Sequence, residues 1–458
     1  MTAITRYISY FIIAALLACG VWGCDRGFDP DEPDLDGEEK YMLLLHVMPI
    51  AAGETADATA TEVTERIKSL RIIVLTVPDE ESDGTTASTP KIEYNKLEDI
   101  KEGKASAFEH PVSLWLTKGK KDIYLIANEE SVDDIQYSPE MAGLPTMFST
   151  FLERYDLLKN PEADAAEFKK AVEAIYFKPN YVIDGQKRIY LPYTSYYQLE
   201  VKEEEENNPT KNNPTMYLVP VATKFTFKFI NKRDNDVTVS KISVKGTDTH
   251  NFLLAHVGED EYEKDFVNED GKTTSLYWID WLAKVSEATH GAADNAAVNE
   301  KYGWISDYKI PAGSKNAETD FIAETDQVIV PTQKKDPAGD GSELDEPGVL
   351  VLGPYYRPES RREKTVTDEE GKETREHEYL LTLDLKDSKS GDGPEFINIP
   401  IENLHALFRN TSVYITVTMS SGDVEVYAEI SDWNRHEANG WVSDSGDGKF
   451  EQSGSNAN

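Results

Sequence analysis

Apolar positions in this chain recur mainly at period two, in short runs parted by polar, turn-forming stretches. Residues 41–50 (YMLLLHVMPI) make the first run. Tyr41 opens it, Leu43, Leu45 and Val47 share one face of a strand, and Leu44 and Met48 take the other. Residues 67–77 (IKSLRIIVLTV) read as a buried strand by their β-branched content. Further strands are predicted over 108–116 and 121–128, with Lys118-Gly119-Lys120 as the turn between them. In 147–177 the period changes: Phe151, Tyr155, Leu158, Phe168, Val172 and Ile175 recur at helical spacing, broken at Pro161. Residues 188–197 (RIYLPYTSYY) return to strand.

Residues 203–214 (EEEENNPTKNNP) are charged and rich in Asn and Pro, which predicts a linker. They divide a first domain, 41–210, from a second, 215–433. Strands are predicted in the second over 216–230, 237–244, 348–356, 379–385 and 396–399. Residues 412–419 and 424–430, joined across Ser420 to Asp423, read as a hairpin. Residues 255–345 are long and polar, with Trp278, Trp281 and Trp304 as anchors, and the tail 434–458 is polar. The expected fold class is mainly β: two β-sandwich domains with a few short helices. The 39% hydrophobic content of the 458 residues suffices for two cores.

The first run of all is not a strand. Arg6 precedes an apolar stretch from Tyr7 to Ala18, a signal-peptide core too short to span a bilayer. It ends in two lipobox-like motifs, Leu16-Leu17-Ala18-Cys19 and Val21-Trp22-Gly23-Cys24. Trp22 beside the cut speaks for Cys19. The acidic stretch that directly follows Cys24, a solvated tether over 25–40, speaks for Cys24 as the lipidated residue, with Cys19 as the alternative. Residues 1–24 are then a lipoprotein signal peptide. These are the chain's only 2 cysteines, so the remainder has no disulfide framework and no thiolate metal site.

Charge narrows the partners. With 84 acidic and 47 basic residues the net charge is −37, which argues against a basic face for nucleic acid or anionic lipid. There is no HExxH, P-loop, GxSxG or dinucleotide glycine pattern, the 8 histidines are scattered, and no cofactor is implied. Glu376-His377-Glu378 reads as solvated surface. Tyr190, Tyr193, Tyr196 and Tyr197 read as sandwich packing, with a sugar platform as the alternative. The chain is expected not to be an enzyme.

Four stretches, in order behind the lipobox, resemble the FimA-type fimbrillins of Bacteroidetes, the type V pilins. They are ERIKSLRIIVLTV (65–77), KGKKDIYLIAN (118–128), VPVATKFTFKF (219–229), and FRNTSVYITVTM (408–419) with VEVYAEISDW (424–433). The resemblance implies two transthyretin-like sandwiches. It also implies a lipidated outer-membrane precursor, proteolytic loss of the first strand, and a strand donated in trans by another fimbrial subunit on the cell surface. Host or bacterial surface receptors would be further partners. The removable strand would carry Tyr41, Leu43, Leu45 and Val47. Family members cut by an arginine-specific protease have an Arg after that strand. Here no Arg or Lys occurs from Tyr41 to Glu65, so Arg66 is the nearest candidate. The candidate donor strand is Val424, Val426, Ala428 and Ile430; otherwise the chain only accepts a strand, as a tip or minor subunit would. A competing reading is a monomeric surface lipoprotein that binds glycans through exposed aromatics such as Trp278 or Trp281.

Overall fold

The computed structural model describes residues 40–49, 65–78, 90–100, 110–132, 135–136, 147–155, 161–177, 190–202, 215–247, 251–255, 263–267, 273–277, 321–329, 333–334, 345–346, 348–361, 363–367, 373–377, 379–387, 395–401, 404, 406–421 and 423–432. Cys19, Cys24, Leu158, the linker 203–214, the three anchor tryptophans and the tail 434–458 lie outside the described residues.

The alternating first run forms β1, Lys40–Pro49, with Leu43, Leu45 and Val47 buried. It is followed by β2 (Ser69–Thr76), β3 (Ile92–Asp99), β4 (His110–Thr117), β5 (Gly119–Ala127), β6 (Tyr193–Val201) and β7 (Thr215–Pro220). These strands make one ribbon in the order β3-β2-β5-β6-β7-β1-β4. The ribbon folds onto itself. Leu43, Leu45 and Val47 of β1 and Val112, Leu114 and Leu116 of β4 pack in one core with Leu70, Ile72 and Val74 of β2 and Ile123 and Leu125 of β5.

The turn at Lys118 is therefore not a hairpin. It carries the chain from the β1–β4 side of the sandwich to the β2–β5 side, and Gly119 at φ 109° supplies a backbone conformation that other residues rarely adopt. The opposite face of β2, β5 and β6 is covered by α1 (Phe148–Arg154) and α2 (Pro161–Glu173). Pro161 stands at the first position of α2, where its missing N–H costs nothing. Because β2 is buried by a sheet on one side and helices on the other, its apolar run need not alternate.

The second sandwich comprises two four-stranded sheets. One has the order β11-β8-β14-β15, from Ala222–Asn231 (β8), Gly348–Pro358 (β11), Thr411–Ser420 (β14) and Asp423–Asp432 (β15). The other has the order β10-β9-β12-β13, from Val237–Lys245 (β9), Phe321–Ile329 (β10), Leu380–Asp387 (β12) and Glu395–Pro400 (β13). Phe225, Phe227 and Phe229 of β8 meet Ile242, Val244, Leu381 and Leu383 between the sheets. The hairpin around Ser420 pairs over Thr411↔Asp432 to Ser420↔Asp423.

One boundary is corrected. The stretch 216–230 breaks at Val221 into two strands, and the first of them, β7, is hydrogen-bonded to β1 and β6. The first sandwich thus runs past residue 210 to Pro220. Met216 and Leu218 supply the apolar face that fits beside β1. Residues 251–255 also return to the first lobe, where Asn251 and Phe252 pair with Phe177 and Tyr176 and Leu253 and Leu254 join the helical layer.

Candidate strand-exchange groove

β1 is the middle strand of its half of the sandwich. It pairs antiparallel with β4 over eight positions, Lys40↔Thr117 to Val47↔His110, and parallel with β7 over four, His46↔Thr215 to Pro49↔Leu218. β4 ends the ribbon and has β1 as its only ladder partner among the described residues. β7 pairs in the ladder with β6 at just two positions, Tyr193↔Pro220 and Thr194↔Val219, with Ser195 and Tyr197 side chains bonded to the Tyr217 main chain beyond them. Taking β1 away would therefore leave β4 with no ladder and β7 with a short one. The vacated slot would be floored by Leu70, Ile72, Val112, Leu114, Met216 and Leu218. Burying Leu43, Leu45 and Val47 there contributes about 1.5–3 kcal/mol per side chain. On the outer face, Met42 (42% exposed) stands opposite Trp115 (38% exposed), and Leu44 opposite Ser113.

Next to the slot, the approach to β2 is tied at both ends. The side chain of Asn128 donates to the carbonyls of Arg66 (2.9 Å) and Leu191 (2.7 Å) and accepts from the Lys68 N–H (2.8 Å). Asn128 holds a left-handed conformation, φ 57°, which asparagine tolerates better than other side chains. The Tyr193 hydroxyl donates to the Glu65 carbonyl (2.8 Å). The Glu65 carboxylate meets Lys224 Nζ and the Tyr356 hydroxyl, each at 2.8 Å. Lys224 and Tyr356 belong to β8 and β11, so Glu65 joins the two lobes. Arg71 closes the corner with two hydrogen bonds to Glu129 (2.5 and 2.8 Å).

A second inter-lobe tie is fully buried. Arg409 donates to Glu359 (Nε 3.0 Å, Nη2 2.5 Å) and to the carbonyls of Phe252 (2.9 Å) and Leu253 (3.3 Å). It anchors the segment that caps the helical layer to the start of β14.

The candidate donor residues lie elsewhere. Ala428 is buried in the core of the second sandwich, and Val424 and Val426 pack against that core. Ile430 is paired opposite Val413; its side chain lies outside the described residues. β15 is thus built into its own domain, as the edge strand of its sheet with β14 as its ladder partner among the described residues. Tyr193, Tyr196 and Tyr197 are buried: Tyr196 donates to Asp122 (2.6 Å), Tyr197 donates to the Tyr217 carbonyl (3.3 Å) and its oxygen accepts from the Tyr217 N–H (2.7 Å). They are packing residues rather than an open platform. Asp122 also accepts from Lys169 and Gln198, which makes a buried polar node under α2. Among the described residues no group of three metal-ligating side chains comes together.

The sequence placed Leu43, Leu45 and Val47 on one face of a strand and Arg66 at the approach to the next; in the structure those three are buried in β1 and Arg66 stands just ahead of β2. Sequence reasoning did not assign roles to Glu65, Asn128, Tyr193, Glu359 or Arg409. The Ala-Asn and Arg-Asn pairs at 127–128 and 409–410 were the available signal, since Asn128 and Asn410 are the two non-glycine residues with positive φ among the described residues.

No family model matches the chain, and no curated protein matches it. Among solved structures it aligns with the tip fimbrial protein Mfa3 from Porphyromonas gingivalis, truncated at its C-terminus, at 11% identity and TM-score 0.41, covering 86% of this chain and 100% of that one. It also aligns with a fimbrial assembly protein from Parabacteroides distasonis at 13% identity and TM-score 0.33, covering 86% and 99%.

Proposed function

We propose that this chain is a structural, non-enzymatic subunit of an adhesive cell-surface fimbrium, and that its N-terminal sandwich accepts a strand from another subunit in place of β1. The observation that carries the reading is the position of β1. It bridges two strands that have little other pairing, and it is joined to β2 only through residues 50–68, of which 50–64 precede the anchored Glu65. One cut in that stretch makes β1 a separate peptide held by main-chain hydrogen bonds and three buried side chains. A replacement must run antiparallel to β4 and parallel to β7, with large apolar residues at alternate positions.

The export signal, with Cys24 or Cys19 as lipid acceptor, fits a precursor carried to the outer membrane and released on processing. Val424, Val426 and Ala428 of β15 are used within its own domain. We therefore assign an accepting position, at the tip or as a minor subunit, in preference to the shaft. Purified precursor cut between β1 and β2 should capture an apolar donor strand without forming long polymer. Immunogold label should fall at filament ends. Label along whole filaments would overturn the tip assignment, and label confined to the cell body would overturn the fimbrial one.

A further inference from the structure

We propose that residues Glu65 to Lys68 are a built-in boundary that halts proteolytic removal of β1 before it reaches β2, so that the Arg66–Ile67 bond is not the maturation cut. This rests on the reading that β1 is removed. A protease binds its substrate as an extended strand and needs the main-chain groups on both sides of the scissile bond. Here those groups are already engaged. The Glu65 carbonyl accepts from Tyr193, and the Arg66 carbonyl from Asn128. The Lys68 N–H donates to Asn128, and the Lys68 carbonyl accepts from the Ile100 N–H at 2.7 Å. Ile67 packs against the sandwich core.

Side chains reinforce the hold. The Glu65 carboxylate is gripped by Lys224 and Tyr356 of the other lobe, and Lys68 Nζ lies 4.8 Å from the Tyr190 ring centre. Cleavage at Arg66 would require opening contacts from both lobes at once. The 14 residues from Ala51 to Thr64 contain no Arg or Lys, and alanine, threonine, glutamate and valine fill most of them. A cut within that stretch is therefore not the work of an enzyme selective for basic residues.

The test is limited proteolysis of the full-length folded precursor by elastase and by trypsin, with new N-termini read by mass spectrometry. A free peptide spanning residues 60–73 serves as the reference. Elastase should produce N-termini between 51 and 65 and stop there. Trypsin should cut Arg66–Ile67 at least about 100-fold more slowly than in the peptide, since cleavage must wait for local opening. The double variant Tyr193→Phe/Tyr356→Phe removes two hydroxyls and keeps the rings; it should raise that rate about tenfold through a larger open population. Native cleavage of Arg66–Ile67 within about threefold of the peptide rate overturns the proposal by the same relation. So does an equal rise at the remote Lys241–Ile242 bond within β9, which would mark general unfolding. Failure of the strand-exchange reading shows differently: the elastase-cut protein would capture no strand while Arg66–Ile67 stayed protected.

Discussion

Asn128 and Arg409 do at residue scale what cysteines do in many exported domains: each ties several distant segments together. Replacing Asn128 with Gly keeps the left-handed backbone available but removes the hydrogen bonds to the Arg66 and Leu191 carbonyls and from the Lys68 N–H. A loss of about 1–3 kcal/mol per buried group left unsatisfied is expected, read by urea denaturation. Asn128→Ala should cost more, because it adds backbone strain of about 1–2 kcal/mol. Arg409→Met takes the guanidinium away from the buried Glu359 carboxylate and should cost about 3–5 kcal/mol, much of it recovered in the double variant Arg409→Met/Glu359→Gln. Tyr193 gives a pH signature. Burial, with Glu65 adding to it, pushes its phenol well above the ordinary 10.0. The folded state thus holds that proton more tightly than the unfolded chain. The stabilisation is complete below the ordinary tyrosine range and is lost as pH rises beyond it. Tyr193→Phe should flatten the alkaline limb of the stability–pH profile.

At the scale of elements, legibility followed the range of the interactions. The alternation in β1 and the buried character of β2 were visible in the sequence, whereas the cover of β2 by a sheet on one face and helices on the other was not. Pro161 marked the start of α2 for a purely local reason. The assignment of β7 to the first sandwich was not visible. Its neighbours in sequence lie in β8, and what places it is pairing with β6 and with β1, the latter more than 160 positions earlier. The roles of Glu65 and Glu359 were hidden in the same way, since acidic residues are common throughout this chain and only the fold shows which of them meet a cation. One prediction belongs to β1 itself. Leu45→Ala should destabilise the intact chain by about 2–5 kcal/mol, because the side chain is fully buried against β2 and β4. Met42→Ala, on the outer face against Trp115, should cost far less.

Across the whole molecule the two sandwiches are interleaved rather than strung in series. β7 comes late yet completes the first sheet, residues 251–255 return to the helical layer, and Glu65 and Arg409 bridge the lobes. The lobes should accordingly melt in one cooperative transition, and Arg409→Met should split it in calorimetry. The net charge of −37 sets a second property of the whole. Contacts between copies should be opposed at low ionic strength and should strengthen as salt screens charge over about 10 Å or less.

Strand replacement at the β1 slot can be tested directly. Precursor cut by elastase between β1 and β2 is incubated with a fluorescent peptide of residues 40–49, and binding is followed by anisotropy and native mass spectrometry. The account predicts one peptide bound per chain, displacement of the resident β1, and no binding by a peptide carrying Leu45→Lys. A cut protein that keeps β1 and never exchanges it, or loses β1 and binds neither peptide, would contradict the account.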